Sequence, residues 1–245
     1  MEVHAHTHTA RKKWTHYFWE FLMLFLAVTL GFFVENQREH YIEHSREKQF
    51  VRSYYEDLKT DIGHLDSLLK GRKGRKKMID SLTVMLDTPD PDVYGKKIYF
   101  NARPLTVALV FFNNDRTIQQ LKNGGNLRLI RKQEVSNAIM GYDQQVRWIQ
   151  FVVAREEQIL HEYIKLIEEV FDAREFNKMA TGIFGFKMPE GNPRLLKKDK
   201  QTIQRVINKL HFLQSVNSYL LMVYGELFEK AKSTKQIIES GYSIN

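Results

Sequence analysis

The amino-acid sequence predicts an all-α protein with one N-terminal transmembrane helix that continues into a long helix. An antiparallel helical bundle with coiled-coil-like seams is predicted to follow. Three observations predict this class. Residues 14–34 are mostly apolar and aromatic, and only five Pro and thirteen Gly are spread over the 245 residues. Apolar residues then recur at alternating spacings of three and four, which is the pattern of packed helices.

Residues 14–34 have the length and composition of a membrane-spanning helix. Residues 21–34 carry no charge, and the whole segment is about 32 Å long as a helix, enough for a hydrocarbon layer of roughly 30 Å. A cleaved signal peptide is the alternative. It would need a small-x-small cleavage site, which residues 31–35 do not offer. We therefore interpret the segment as an uncleaved anchor in a lipid bilayer.

The basic residues near this segment predict its orientation. Residues 11–13 are Arg-Lys-Lys, whereas Arg38 is the only basic residue among the ten that follow Val34. Because Lys and Arg accumulate on the cytoplasmic side of a span, residues 1–13 are expected to form a cytoplasmic tail. Residues 35–245 are then expected to form an extracytoplasmic, periplasmic domain.

Five helices are predicted in this domain, near residues 35–69, 76–86, 115–122, 133–171 and 201–232. The first continues the span, with a seam of Val51, Tyr55, Leu58, Ile62, Leu65 and Leu69. Gly71 and Gly74, in the basic string GRKGRKK, predict a break and a solvent-exposed turn after it.

Two later helices have longer seams, and each contains a single polar residue. The fourth seam consists of Val135, Ile139, Tyr142, Val146, Ile149, Val153, Glu156, Leu160, Tyr163, Ile167 and Val170. The fifth consists of Ile203, Val206, Leu210, Leu213, Asn217, Leu220, Tyr224, Leu227 and Ala231. Their 3–4 spacing predicts helices that pack against one another.

No catalytic, metal or cofactor site is predicted. The chain has no cysteine, which excludes disulfides and thiolate metal sites. The string His40-Tyr41-Ile42-Glu43-His44 matches the H-x-x-E-H pattern of some zinc proteases. It lies only six residues past the span, however, so we interpret it as an exposed helix face. The net charge of +8 is interpreted as a solvated surface, and neither a nucleic acid nor a small-molecule substrate is expected as a partner.

The span itself carries the residues that we predict to form an interface. Glu20, Met23, Ala27 and Leu30 fall on one helical face when the downstream seam is extended backwards, and Gly31 follows Ala27 by one turn. Ala27 and Gly31 form a small-x-x-x-small pair that lets helices approach closely, and a charge within a span usually faces protein or water. The alternative is that Glu20 reaches the membrane interface and contacts no partner.

A second candidate motif lies between helices, in residues 117–130 (TIQQLKNGGNLRLI). Its candidate residues are Gln120, Leu121, Gly125, Asn126, Leu127 and Arg128. Residues 123–126 are typical of a turn that ends a helix. The alternative is a backbone nest for an anion beside the neighbouring arginines.

These two places resemble a family of uncharacterised single-pass membrane proteins common in Bacteroidota. Its members show a similar QLK-x-x-GNLRLI string, and their span has an early acid and a polar exit, like residues 20–36 here. The resemblance covers nearly the whole chain and implies a single-pass protein of the bacterial inner membrane, without supplying an activity. The chain departs from the family at Gly124-Gly125, where a small polar residue more often precedes Gly.

We therefore expect a non-enzymatic, membrane-anchored helical interaction or scaffold subunit. Its partner would be a second copy of the chain, in a homo-oligomer, or another membrane protein. The alternative is an extracytoplasmic ligand-binding or sensory bundle. Sensors of that kind normally return through a second span, and the sequence predicts only one.

Overall fold

The computed structural model describes residues 14–182 and 185–244; the predicted tail, residues 1–13, lies outside them. The described residues form an all-α fold, as predicted. Its α-helices are Trp14–Leu86 (α1), Gly95–Ala102 (α2), Arg116–Asn123 (α3), Gln133–Val170 (α4), Ala173–Met179 (α5) and Lys200–Gly241 (α6). Short 3₁₀ helices are Pro91–Tyr94, Arg103–Thr106 and Asn126–Leu129.

The chain divides into two units, Met1–Gln49 and Phe50–Asn245. The described part of the first unit belongs to α1, and the large apolar side chains of its first 21 residues are mostly exposed. By length and composition, α1 is the one described helix that is apolar enough to cross a membrane. That agrees with the anchor predicted at residues 14–34.

The second unit is a bundle of three long helical segments: residues 50–86 of α1, then α4 and α6. Asp61 of α1 contacts Tyr142 of α4, and Arg72, farther along α1, contacts Glu156, farther along α4. These two helices are therefore parallel. Contacts between α1 and α6 run in opposite directions. They join Tyr55 to Glu239, Arg72 to Asn217, and Asp80 to Gln214.

The seams predicted for α4 and α6 are confirmed, because every residue predicted to lie on them is buried. The end of α6 differs from the prediction. The helix continues to Gly241 rather than ending near residue 232. Thr234 and Ile238 extend the seam by two further positions and are also buried, so packing against the rest of the unit stabilises the additional turns.

The break predicted at Gly71 and Gly74 is wrong, because α1 is one helix through both glycines. The basic string around them is not a solvent-exposed turn, since Arg72 and Arg75 are buried. Glycine destabilises a helix interior by about 1 kcal/mol relative to alanine. The buried contacts of the two arginines offset that loss.

With the arginines included, the α1 seam continues without interruption at alternating spacings of three and four. Its positions are Val51, Tyr54, Leu58, Asp61, Leu65, Leu68, Arg72, Arg75, Ile79, Leu82 and Leu86. The predicted seam members Tyr55, Ile62 and Leu69 lie beside it and are only partly buried. A nonhelical stretch, residues 107–115, leads from the second 3₁₀ helix to α3; we call it the connecting segment.

Because Gly74 lies within a helix, we expect Gly74→Ala to raise the free energy of unfolding by roughly 0.5–1 kcal/mol. A β-carbon at this position meets no atom within 4 Å. Gly125 is the matched control: it is equally unobstructed but has φ of +61°, so Gly125→Ala should destabilise the protein by about 1–2 kcal/mol. Urea unfolding of the full chain in detergent measures both changes. Destabilisation by Gly74→Ala would contradict a continuous helix.

Candidate functional site

The centre of the bundle holds a cluster of buried charged and polar side chains. We call Arg72, Arg75, Glu156 and Asn217 the central cluster. Arg72 donates from Nη1 to Glu156 Oε1 at 3.0 Å and from Nη2 to Oε2 at 2.8 Å. Arg75 Nη1 donates to Glu156 Oε1 at 3.2 Å, and Arg72 Nη1 also donates to Asn217 Oδ1 at 3.2 Å. One side chain from each of α4 and α6 therefore meets two from α1.

The central cluster also holds the connecting segment. Arg72 Nη2 donates to the Leu109 carbonyl at 2.5 Å, and Arg75 Nη2 donates to the Val107 carbonyl. These carbonyls have no helix or sheet to pair with, and a buried carbonyl without a donor is unfavourable. The guanidinium groups of α1 thus supply the hydrogen bonds that regular secondary structure would otherwise supply.

The charges of the central cluster are unequal, because two guanidinium groups face one carboxylate. Burial lowers the pKa of Arg75, the Glu156 charge opposes that shift, and the neighbouring Arg72 charge adds to it. The face of the Tyr224 ring lies 5.1 Å from the Arg72 guanidinium, a favourable cation–π arrangement. Each of the four side chains is at most 3% exposed, so the arrangement stabilises the fold and offers no open surface to a substrate.

A second group of buried polar residues, the acidic pair Asp57 and Asp61, lies one turn apart on α1. Asp57 Oδ2 accepts from the Thr117 hydroxyl at 2.5 Å and from its backbone N–H at 3.2 Å. Asp57 Oδ1 accepts from Arg116 at 2.9 Å. A carboxylate from α1 therefore caps the first turn of α3, where free N–H groups favour a negative charge.

Asp61 holds the end of the connecting segment, and no described residue forms an ion pair with it as Arg116 does with Asp57. Asp61 Oδ1 accepts from the Asn114 N–H at 2.7 Å, and its Oδ2 accepts from the Tyr142 hydroxyl at 2.8 Å. Burial raises the pKa of the Asp61 carboxyl, and these two hydrogen bonds only partly oppose the shift. Burial and the charge of Asp61 together raise the pKa of Tyr142.

The residues predicted to form an interface in the span lie on α1 in the first unit. Glu20, Met23, Ala27, Leu30 and Gly31 are exposed, and their spacing places them along one side of the helix. Glu20 Oε1 lies 3.1 Å from a ring nitrogen of His16, one turn earlier. The interface role of this face remains a prediction.

The H-x-x-E-H string also lies on α1. His44 Nδ1 is 3.1 Å from Glu47 Oε2. Within residues 14–182 and 185–244, no group of three His, Asp or Glu side chains is arranged to hold a metal ion.

The predicted motif forms the turn between α3 and the third 3₁₀ helix. Gln120 accepts from the Gly124 N–H at 3.1 Å, Leu121 is buried, and Gly125 adopts φ of +61°. Asn126 Nδ2 lies 3.4 Å from the Gln120 carbonyl. This geometry agrees with the interpretation as a helix-ending turn.

The last two motif residues stay near the surface. Leu127 is partly buried and Arg128 is exposed. They are not brought to the central cluster or to the acidic pair.

The second unit also has an exposed apolar surface that the sequence analysis did not identify. We call Phe112, Trp148, Phe151, Tyr219 and Met222 the outer aromatic face. Phe112 and Phe151 are 78% and 81% exposed. A hydrogen bond between their chain neighbours, from Gln150 Nε2 to Asn113 Oδ1 at 3.5 Å, links the two segments that carry them. Trp148 contacts Tyr219 edge-on, with ring centroids 6.5 Å apart. The sequence signal for this face was limited to apolar residues of α4 and α6 that lie outside the seam positions of those helices.

Removal of the Glu156 carboxylate should leave two buried guanidinium groups without a counter-charge. We expect Glu156→Leu to lower the free energy of unfolding by about 3–5 kcal/mol, the usual loss when one partner of a buried ion pair is removed. The adjacent Glu157 is exposed, so Glu157→Leu should change it by less than about 0.5 kcal/mol. Urea unfolding followed by circular dichroism measures both. Equal effects of the two variants would contradict the central cluster.

The raised pKa of Asp61 means that the folded protein binds this proton more tightly than the unfolded chain. The resulting stabilisation is complete below the unfolded-chain pKa of about 3.9 and is lost as pH rises through the higher folded pKa. Asp61→Asn resembles the protonated form at every pH. The free energy of unfolding of Asp61→Asn, minus that of wild type, should therefore increase between about pH 4 and pH 7.

Urea midpoints across this range measure the effect. Asp66→Asn, at a half-exposed carboxylate on the same helix, is the control and should show little trend. A flat difference between Asp61→Asn and wild type would contradict the assignment.

The described residues thus contain two buried polar groups that organise the bundle and one exposed aromatic surface. The buried groups are linked by the connecting segment, whose carbonyls and N–H groups they bind. Comparison with protein-family models, with curated proteins and with solved structures finds no match for this chain.

Proposed function

We propose that this protein is a membrane-anchored helical interaction subunit, a scaffold that holds a protein partner beside a membrane without catalysing a reaction. The outer aromatic face is the observation that carries this proposal. It brings together side chains from α4, α6 and the connecting segment, while the seams of these helices are buried elsewhere. The face is therefore additional to the core of the unit.

The composition of this face fits a protein partner. Clustered apolar side chains on a soluble surface commonly mark interaction sites, and Trp, Tyr, Phe and Met are enriched at interfaces. Trp148 and Tyr219 are about half exposed, so each has an apolar surface left to bury. Buried aromatic anchors of this kind supply much of the binding free energy in protein complexes.

The apolar part of α1 supports the membrane anchor in the proposal. We place the protein in a bacterial inner membrane, with a cytoplasmic N-terminus and a periplasmic second unit; the bias of basic residues across residues 11–38 supports that orientation. Because the chain lacks cysteine, a single cysteine introduced at Glu157 is the only target for an impermeant maleimide. Labelling in spheroplasts supports the proposed orientation, and labelling only after lysis contradicts it.

The span also has a face suited to helix association. Ala27 and Gly31 lie one turn apart, and a β-carbon at Gly31 meets no atom within 4 Å, which leaves room for the backbone of another helix. We propose that this face, with Glu20 at one end, binds a second copy of the chain or another membrane protein. Membrane proximity would then favour engagement of the outer aromatic face, since tethering raises the effective concentration.

Site-specific photocrosslinking tests the proposed function. We expect p-benzoylphenylalanine at Phe151 to give a discrete protein adduct in native membranes, because the outer aromatic face is occupied there. The control is Val84, an apolar residue on α1 that is similarly exposed, at 71%, and it should give little adduct. Mass spectrometry of the adduct identifies either a second copy or another protein.

Within the span, the same probe at Ala27 should crosslink more strongly than at Phe25, which points to the opposite side of the helix. Absence of an adduct at Phe151 above the Val84 level would contradict the scaffold proposal. Equal adducts at Ala27 and Phe25 would contradict only the interface in the span.

A further inference from the structure

A groove between α4 and α6 extends the surface of the outer aromatic face toward one end of the bundle. It consists of two adjoining cavities of about 400 and 440 Å³, which share Arg205 and Asn208 in their walls. Four basic side chains and one acidic side chain of the described chain line the two cavities: Lys165, Lys200, Arg205, Lys209 and Glu162. We call this surface the basic groove.

The basic groove lies on the same side of α4 and α6 as the outer aromatic face. Leu166, in the groove, follows Trp148 by 18 residues on α4. That separation is five full turns, so the two side chains lie on one face of the helix, about 27 Å apart. Tyr219 of α6 contacts Trp148 at one end of this strip, and Lys209 of α6 binds Glu162 near the other. The two surfaces are therefore parts of one continuous strip.

Apolar side chains continue from the outer aromatic face into the basic groove. Phe212 precedes Tyr219 by seven residues, about two turns of α6, and is 55% exposed. Leu166 lines the same cavity and is partly buried. The groove thus combines an apolar wall, which can pack against another side chain, with basic groups around it.

The one acid that lines the basic groove is already paired. Lys209 donates to Glu162, and this hydrogen bond and the lysine charge hold the pKa of the Glu162 carboxyl below its usual range. Arg205 lies 3.9 Å from Glu169, just outside the lining, but Glu169 also binds Lys197 at 3.3 Å. The local acids therefore do not neutralise the groove.

Lys165 and Lys200 supply the remaining positive charge. Both are exposed, and neither belongs to an ion pair formed by the described residues. Asn208 and Gln204 place side-chain amides beside them. A concave surface lined by one sign of charge attracts groups of the opposite sign, so the groove is complementary to carboxylates.

We propose that the outer aromatic face and the basic groove together bind one helix of a partner protein, apolar at one end and rich in Asp or Glu at the other. This inference rests on the proposed function and specifies the chemistry of the partner. The strip is as long as a helix of roughly 18 residues, and an amphipathic helix laid into a groove is a common mode of recognition. The apolar end supplies contact area, and the charges fix the direction in which the helix lies.

Charge reversal in the basic groove tests this inference in native membranes. In Lys165→Glu/Lys200→Glu, we expect the adduct of p-benzoylphenylalanine at Phe151 to fall about tenfold, because like charges then face each other. The control Lys73→Glu/Lys77→Glu makes the same change in net charge at two exposed lysines of α1 and should leave the adduct unchanged. Both double variants should keep the thermal midpoint of wild type, since all four positions are exposed.

The outcomes separate this inference from the proposed function. An adduct at Phe151 that both double variants reduce equally, or that neither reduces, overturns the partner chemistry and leaves the scaffold proposal standing. Absence of the Phe151 adduct without any charge reversal contradicts the scaffold proposal itself, and this inference fails with it.

A second probe position and a charge swap identify the bound segment. p-Benzoylphenylalanine at Phe212 should capture the same protein as the probe at Phe151, at a segment that contains Asp or Glu. Lysine in place of those acids should abolish the adduct with the unsubstituted groove and restore it with Lys165→Glu/Lys200→Glu. A lipid or polysaccharide adduct at Phe212, a different protein there, or failure of the swap to restore the adduct overturns the proposal.

Discussion

Glu156 places a carboxylate in the middle of the bundle, where it accepts hydrogen bonds from Arg72 and Arg75. Ionised groups in an interior are stabilised by opposite charge and by hydrogen bonds. Here the hydrogen bonds to Glu156 and Asn217 require α4, α6 and two turns of α1 to meet at one height, although one guanidinium charge stays in excess and Arg72 Nε has no partner among the described residues. An apolar seam alone permits helices to slide by a turn, whereas these hydrogen bonds form in a single register. The domain thus gains a defined alignment from a group that would be unfavourable if left unpaired.

The same polar groups explain why residues 107–115 have a defined path without helix or sheet. Arg72 and Arg75 bind the carbonyls at the start of the connecting segment, and Asp61 binds an N–H near its end. The segment in turn presents Phe112 at the surface. The position of one exposed aromatic side chain therefore depends on charges buried in the core. Support from a rigid interior is what an interaction surface needs to bind without a large ordering penalty.

Prediction from sequence succeeded where burial and apolarity coincide. The seams of α4 and α6 are continuous enough that Glu156 and Asn217 were placed on them despite being polar. It failed in α1, where Asp61, Arg72 and Arg75 take seam positions that were assigned to neighbouring apolar residues or to a turn. A basic string beside two glycines is usually exposed, and only partners 84 and 145 residues away make it a core element. The outer aromatic face was missed because spacing within one helix does not show which off-seam residues of different elements become neighbours.

The spacing of these partners along the chain also constrains the order of assembly. Arg72 belongs to α1, and Asn217 follows it by 145 residues, on α6. During synthesis, α1 carries two guanidinium groups whose full set of partners does not exist until α6 has been made. The bundle cannot reach its final packing stepwise from the N-terminus. Its core closes only when α6 is present, so any truncation upstream of residue 217 leaves the guanidinium groups of α1 without the Asn217 hydrogen bond.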